Sequence, residues 1–341
     1  MSKKIVTFGE IMMRLQPPNC DRIANAKTFE INFGGGEANV AVCLAELGDD
    51  AQFVTKLPDN AVGKACEGEL KRWGVDTKNI AWGGERLGIY YCEKGYSCRP
   101  SNVLYDRANS SITTIEKNEI DWQRVFDGVE WFHFTGITAA LGDKTLQELR
   151  VALEYAKKQN IKVSCDLNYR NKLWSKEKAR LVMSELMQYV DVLIANEEDA
   201  NDVFGIASVG SSVADGKLNI DSYKSVATQI EQRFGIHTVA ITLRESQSAN
   251  NNGWSAMLYD GGEFFVSKHY DLVVLDRVGG GDSFGAGLIH SFANGSDSEY
   301  AINFAVACSA LKHTINGDFN ITSQQEVEKL IKGGTSGRVQ R

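Results

Sequence analysis

The stretch that decides the fold is Asp276-Arg277-Val278-Gly279-Gly280-Gly281-Asp282-Ser283-Phe284-Gly285-Ala286-Gly287. Three glycines run directly into an aspartate. Beyond it, Phe284, Leu288, Ile289 and Phe292 fall on one face of a 3.6-residue helix. Residues 271–275 read as the end of a strand. The unit is therefore strand, glycine turn and helix N-terminus. A turn without side chains lets several backbone N–H groups converge on one point, and the positive end of the helix dipole adds to them. Such a point can hold a phosphate or a developing negative charge. Asp282 stands at its rim, where a base would stand. The plainer alternative is a tight turn with Asp282 as an ordinary helix cap.

The surrounding chain has 341 residues, 43% hydrophobic and 24% charged. That suits a globular protein with ample core, built as one large α/β domain or two small ones. A net charge of -7 offers no basic surface for nucleic acid or an anionic membrane. Lys157-Lys158 and the mixed run at 176–180 read as solvated helix faces. The seven cysteines are odd in number and contain no Cys-x-x-Cys, which fits reduced thiols in a cytoplasmic protein. The apolar run at the N-terminus is broken at Glu10, too early for a signal peptide, and no run approaches transmembrane length. The five histidines are scattered without metal-ligand spacing and read as structural.

Taken in order, residues 5–9 are a first buried strand. Segments 12–15 and 28–33 alternate polar and apolar residues, as exposed strands do. Gly34, Gly35 and Gly36 open a helix whose apolar face is Val40, Leu44 and Leu47, closed by Gly48. The glycines are either a simple turn or a place where backbone lies against a ligand. Asp59 is the expected cap of the helix at 61–73. The segment 99–108 has strand alternation with Tyr105 and Arg107. It is either a charge-blunted edge strand or a substrate-facing one, where Arg107 would offer a planar fork to a carboxylate and Tyr90 and Tyr105 would offer hydroxyls. From residue 131 onward, strands at 131–135, 162–166, 190–195 and 237–243 alternate with helices. This rhythm implies a parallel sheet covered on both faces. Ligands in such sheets bind beyond the carboxyl ends of the strands. Asp166, Asn168 and Arg170 fall at one such end, and Asn196, Glu197, Glu198 and Asp199 at the next. Residues 205–216 read as a flexible insertion and 333–341 as a frayed tail. No repeat or linker divides residues 1–332, and the strands near 12–33 and 86–108 form a β lid interleaved with that single domain.

No Gly-x4-Gly-Lys-[Ser/Thr] occurs, so this is not a P-loop protein. The glycine run lies far from the first strand, which argues against a dinucleotide fingerprint. What remains is a base beside an anion cradle and carboxylates at a strand end. Together they suit phosphoryl transfer to a hydroxyl, a reaction dominated by positioning and charge stabilisation.

The segment from Asp276 to Phe284 resembles the C-terminal signature of the PfkB (ribokinase-like) carbohydrate kinases, Asp-Thr-x-Gly-Ala-Gly-Asp-x-Phe. Arg277 replaces the threonine and Gly280 the alanine. The run holding Gly34, Gly35 and Asn39 resembles the family's N-terminal Gly-Gly-x-x-x-Asn-x-Ala. The resemblance covers nearly the whole chain and is nearest the 2-keto-3-deoxygluconate kinases, through Glu10, Arg14-Leu15, Arg99-Pro100-Ser101, Tyr105-Asp106-Arg107 and Asp166-Leu167-Asn168-Tyr169-Arg170. It implies a three-layer α/β/α fold with a mostly parallel sheet and a β lid. It implies ATP-dependent phosphorylation of the C6 hydroxyl of 2-keto-3-deoxygluconate, with a fructokinase or a sugar-binding regulator as alternatives.

By the same resemblance, Asp282 is the base, and Gly279, Gly280 and Gly281 supply the anion hole. Gly34, Gly35, Asn39, Tyr90, Tyr105, Arg107, Arg170 and Asp318 contact the sugar acid. Asn196 and Thr242 contact ATP. Glu198 and Asp199 order water around Mg²⁺, since the family's Asn-x-x-Glu here ends in Asp199. Arg107 and Arg170 are the groups that would neutralise a carboxylate, with Arg107 the more discriminating. Arg244 stands where the family has glycine after Thr242-Leu243, so the nucleotide loop must differ. Arg277 leaves open the monovalent-cation site that many members build near their threonine. A homo-oligomer formed through the lid is a further implication.

Overall fold

The alternation of β-rich and helix-periodic segments builds a three-layer α/β/α fold in a computed structural model that describes residues 2–196, 198–207 and 220–334. The central sheet runs Asp50–Val54, Lys4–Phe8, Trp131–Thr135, Lys162–Asp166, Val192–Ala195 and Thr238–Ser246 in space, all neighbours parallel. Parallel strands joined by helices must be covered on both faces. The strands are accordingly almost continuously buried. The sheet is then extended by antiparallel strands: Asn251–Asp260 pairs with Thr238–Ser246 and carries both Glu263–Val266 and Tyr270–Val273 on its other edge. The strand expected at 271–275 is thus Tyr270–Val273. It belongs to this antiparallel margin and leads straight into the glycine turn.

Two apolar cores flank the sheet. One packs beneath the helices Asp143–Lys158, Lys176–Leu186 and Ile220–Phe234. The other packs beneath Gly36–Glu46, Gly280–Ala293 and Ser298–Lys312. A separate four-stranded sheet, ordered Glu30–Gly34, Met12–Gln16, Gly88–Glu93, Asn102–Asp106, arches over the carboxyl ends of the parallel strands. Its residues come from segments threaded between core strands, so it cannot fold apart from the domain.

Local differences from the sequence expectations have simple causes. The helix Ala61–Arg72 is capped by Asn60, whose side chain accepts from the amides of Val62 and Gly63 at 3.0 Å each; Asp59 lies one residue too early to reach them. The expected insertion and tail fall largely on residues 208–219 and 335–341, outside the described residues. All seven cysteines are free thiols, with Cys43 and Cys308 sharing an S–H···S hydrogen bond at 3.6 Å rather than a disulfide. No helix among the described residues is long and apolar enough to cross a membrane.

The helix carrying Asp282 is held by close backbone approach. A Cβ at Gly287 would come within 2.9 Å of the Ala305 Cα and 3.1 Å of the Cys308 Cβ on the helix Ser298–Lys312. Gly287→Val adds three carbons where one does not fit, and the helix pair must separate. Overpacking of this kind costs about 3 kcal/mol. Chemical denaturation of the variant should show that loss, and unchanged stability would mean the two helices do not meet at Gly287.

Candidate active site

A cleft of about 440 Å³ opens between the lid and the carboxyl ends of the parallel strands. The topology dictates its contents, because each parallel strand delivers polar residues there as it ends. Glu10 follows Lys4–Phe8, Asp166 ends its strand with Asn168 and Arg170 beyond it, and Asn196 follows Val192–Ala195. Thr242 and Arg244 come from Thr238–Ser246, Trp254 from the antiparallel margin, and Met12, Tyr90, Tyr105 and Arg107 from the lid.

The glycine turn lies at the floor of this cleft. Gly279 has φ 83°, the left-handed region that disfavours side chains, and a Cβ there would lie 2.1 Å from the Asp318 carbonyl oxygen. Glycine is required on both counts. The amide of Gly280 donates to the Arg277 carbonyl at 3.2 Å, and its Cα faces the His313 ring. Gly280 therefore leaves the expected three-amide anion hole: its N–H is used up closing the turn. Among the described residues, the amides of Gly279, Gly281 and Asp282 have no acceptor within the protein, and all three residues line the cleft. The open cradle is thus shifted by one residue into the helix.

Asp282 is the third residue of the helix Gly280–Ala293 and does not cap it. Its carboxylate instead accepts from the Asn39 amide nitrogen at 2.7 Å. Asn39 is itself oriented through its side-chain oxygen, which accepts from the Gly35 amide at 3.2 Å. Burial pushes the Asp282 carboxyl up to about 6, while the Asn39 hydrogen bond and the Arg170 charge hold it from rising further. Gly34 and Gly35 line the cleft, but their missing side chains point into protein. A Cβ would strike the Asp318 carboxylate from Gly34 at 2.1 Å and the Glu10 carbonyl oxygen from Gly35 at 1.9 Å.

Above the turn, Arg14 is fully buried, donating to Asp276 at 2.7 Å and to Asp318 at 2.8 Å. Burial works against its charge, yet Asp318 and Asp276 outweigh burial and keep it protonated. Asp318 also accepts from the Tyr90 hydroxyl, and the Tyr90 and Tyr105 rings lie 6.0 Å apart. Asp276 accepts from the amides of Val278 and Gly317, both at 3.2 Å, and so sets the entry into the turn.

The two expected carboxylate binders differ. Arg107 lines the cleft over the Tyr105 ring but is already ion-paired with Glu10, which also accepts from Ser110. It is not the open fork expected. Arg170 donates to the neighbouring Tyr169 carbonyl at 3.0 Å, and among the described residues no carboxylate lies within ion-pair distance of it. It acts on Asp166, Asp199 and Asp282 through space.

Asn196 and Thr242, the two residues expected to contact ATP, both line the cleft. Glu198 and Asp199 do not. Glu198 is exposed, and the buried Asp199 carboxylate accepts from the amides of Tyr169 at 3.2 Å and Asn196 at 3.3 Å. The carboxylate that does line this wall is Asp166, which burial pushes well above the usual range. Among the described residues no group of three or more His, Cys, Asp or Glu is arranged as a metal site. Arg244 and Arg277 complete this end, the latter donating to the Ala249 carbonyl at 3.2 Å. The local sequence carries no sign of the roles of Glu10, Arg14 and Asp276: alternation on a lid strand places Arg14, but its partners lie 262 and 304 residues away.

Relatives share this architecture over their full length. The chain is 33% identical over 338 residues to a 2-dehydro-3-deoxygalactonokinase of Haloferax volcanii, covering 99% of both chains. A 2-dehydro-3-deoxygluconokinase of Thermotoga maritima, 49% identical, superposes with a TM-score of 0.94 over 97% of this chain and 100% of that one. A candidate Ribokinase II of E. coli, solved in complex with ATP and Mg²⁺, shares the fold at 20% identity and a TM-score of 0.80, over 98% and 100% of the two chains. The model of the pfkB family carbohydrate kinases matches residues 2–322. With its glycine turn and Asp282 facing a cleft under a β lid, the chain belongs to the pfkB family of carbohydrate kinases.

Proposed function

We propose that the protein transfers the terminal phosphoryl group of ATP to the C6 hydroxyl of 2-keto-3-deoxygluconate or its galactonate-derived epimer, giving the 6-phosphate. The feature that supports this is Arg170 on the cleft wall that also holds Asp282: it donates to the Tyr169 carbonyl, and among the described residues no carboxylate stands within ion-pair distance of it. A sugar acid brings a carboxylate that Arg170 can neutralise, whereas fructose and ribose do not. Arg107 acts differently. Paired to Glu10, it presents a neutral ion pair and a stacked surface above Tyr105, and it shapes the sugar pocket rather than supplying its net charge.

Asp282 takes the proton of the acceptor hydroxyl. The amides of Gly279, Gly281 and Asp282 receive the migrating phosphoryl as charge builds on its oxygens. The residues present fit a nucleoside triphosphate: open amides, Arg244 and Arg277 at one end of the cleft match a polyanion, and Asn196 and Thr242 flank it. Mg²⁺ supplies charge neutralisation on the phosphate oxygens when bound. Asp166 is the cleft-lining carboxylate suited to water around that ion, with Asp199 behind it fixing the loop and Glu198 outside. The lid also offers a subunit contact, because its two edge strands expose Ile31 (62%) and Leu104 (56%).

Asp282 must be ionised to accept a proton, so kcat/KM should rise with pH through an apparent pKa of about 6. Asp282→Asn should lower kcat by about 10²- to 10⁴-fold. Because Asn39 stabilises the charged form, Asn39→Ala should move the acidic limb to higher pH, and an unmoved limb would separate Asn39 from the titrating group. Arg170→Ala should cost about 2–5 kcal/mol in apparent affinity for the sugar acid, measured from KM in a coupled ADP-release assay over sugar acids and neutral sugars. Preference for fructose in that panel, or an unchanged KM in the variant, would remove the sugar-acid assignment. Ile31→Asp with Leu104→Asp should reduce the molar mass seen by light scattering, and a mass unaffected by both changes would place any subunit contact elsewhere.

A further inference from the structure

Arg277 stands where the family signature has threonine, two residues before Gly279. Its backbone belongs to the glycine turn: the Arg277 carbonyl accepts from the Gly280 amide at 3.2 Å, across the left-handed Gly279. Its side chain is half-buried and lines the cleft. One nitrogen, Nη2, donates to the Ala249 carbonyl at 3.2 Å and to the Asn252 side-chain oxygen at 3.4 Å. Among the described residues, Nε and Nη1 have no acceptor and no carboxylate stands within ion-pair distance. A guanidinium offers five N–H donors, and most of these are left for something else.

The guanidinium is held in place by chain that is itself fixed. Ala249 and Asn252 belong to the hairpin between Thr238–Ser246 and Asn251–Asp260. The Ala249 amide donates to the Ser97 carbonyl at 2.9 Å, and the Ser97 amide donates to the Asn250 side chain at 2.8 Å, which ties the hairpin to the lid. The Asn250 side chain donates in turn to the Val274 carbonyl at 3.1 Å, on the approach to the glycine turn. A cation placed in this way loses little freedom when it binds. The charges around it do not neutralise it. Asp276 attracts it through space but is spent on the buried Arg14, and Arg244 repels it. Burial pushes the nearby His313 down to about 4, so that ring is neutral near pH 7. The other two arginines of the cleft lie among acids: Arg107 pairs with Glu10, and Arg170 acts on Asp166, Asp199 and Asp282.

We propose that Arg277 contacts the phosphate of the donor that becomes the leaving group, and so selects a nucleotide carrying at least two phosphates. This rests on the kinase reading and specifies its donor side. In the transfer, the bond from the γ-phosphorus to the β,γ-bridging oxygen breaks, and a bond from that phosphorus to the acceptor oxygen forms. The acceptor proton goes to Asp282. The bonding pair stays on the former bridging oxygen, which becomes a terminal oxygen of ADP. The amides of Gly279, Gly281 and Asp282 serve the group in flight, and Arg277, at the start of the same turn, serves the oxygen it leaves. Charge grows on that oxygen through the transition state, so a cation there lowers the barrier as well as binding ADP. The plainer role for Arg277 is a brace that keeps the hairpin against the turn. Glutamine can still donate to the Ala249 carbonyl but carries no charge, so that exchange separates the two roles.

Calorimetric titration of ADP and AMP into the full chain with Mg²⁺ present reads the contact without any acceptor. In Arg277→Gln the affinity for ADP should fall roughly tenfold or more, while that for AMP stays within about twofold. Arg277→Lys keeps a charge and should bind ADP more tightly than Arg277→Gln. Arg277→Thr restores the residue of the family signature; it should behave like Arg277→Gln, and it serves if the glutamine variant does not fold. In turnover, Arg277→Gln should lower kcat about 10²-fold with little change in KM for the acceptor. Undiminished ADP affinity in Arg277→Gln or Arg277→Thr leaves Arg277 a brace and overturns the proposal. An equal loss for ADP and AMP overturns it too, as does a raised KM for the acceptor with ADP affinity intact. A loss confined to ADP, in a protein that turns over no acceptor, would count against the kinase reading alone.

Discussion

The interaction on which the rest depends is the buried fork of Arg14 between Asp276 and Asp318. Each partner belongs to a different part of the fold. Arg14 lies on a lid strand, Asp276 at the entrance to the glycine turn, and Asp318 in the loop after the helix Ser298–Lys312. The three are 262 and 304 residues apart along the chain. Removing one member of such a group leaves an uncompensated buried charge, at a cost of about 3–5 kcal/mol. The lid and the turn are thereby locked in one geometry. Tyr90 and Gly34 then pack on Asp318, so the sugar pocket inherits its shape from the same three charges.

This coupling explains why glycine is needed where it is. Gly279 must pass over the Asp318 carbonyl, and Gly34 must pass beside its carboxylate. Neither glycine is spacious for the sake of a ligand. Each is small because another backbone segment already fills the place of its side chain. Openness toward the cleft is a consequence, since the amides that no neighbouring chain takes up are those of Gly279, Gly281 and Asp282.

Most of the layer order was legible in the sequence, because parallel strands and amphipathic helices carry local periodicities. The helix of Asp282 and the lid strands were within reach of short-range patterns, whereas the hydrogen bond by which the Gly35 amide orients Asn39 was not. What escaped depends on contacts distant in sequence or on the last ångström of a turn. The pairing of Arg107 with Glu10 spans 97 residues and leaves no local trace. That Gly280 closes the turn with its own amide is decided by the left-handed Gly279 before it. Asp199 looked like a metal residue because its motif spacing fits; its carboxylate instead accepts from the amides that hold two strand-end loops together. Spacing identifies which residues meet, while their division into structural and chemical roles is set by which hydrogen-bond partners the fold supplies first.

The same principle bears on acceptor choice. Two arginines enter the pocket, and on sequence grounds either could meet a carboxylate. The fold pairs Arg107 with Glu10, and among the described residues it places no carboxylate within ion-pair distance of Arg170. A guanidinium already paired with Glu10 offers an incoming carboxylate little net attraction, because approach to Arg107 is also approach to Glu10. Arg170 carries no such penalty, and the charges it feels through space are those of Asp166, Asp199 and Asp282, the very groups whose mutual repulsion it relieves. A bound sugar acid would compete with these carboxylates for Arg170. Were the acceptor the proposed sugar acid, its charge would draw on Arg170, and Asp282 would lose part of what holds its proton affinity down and become a stronger base in the occupied site than in the empty one.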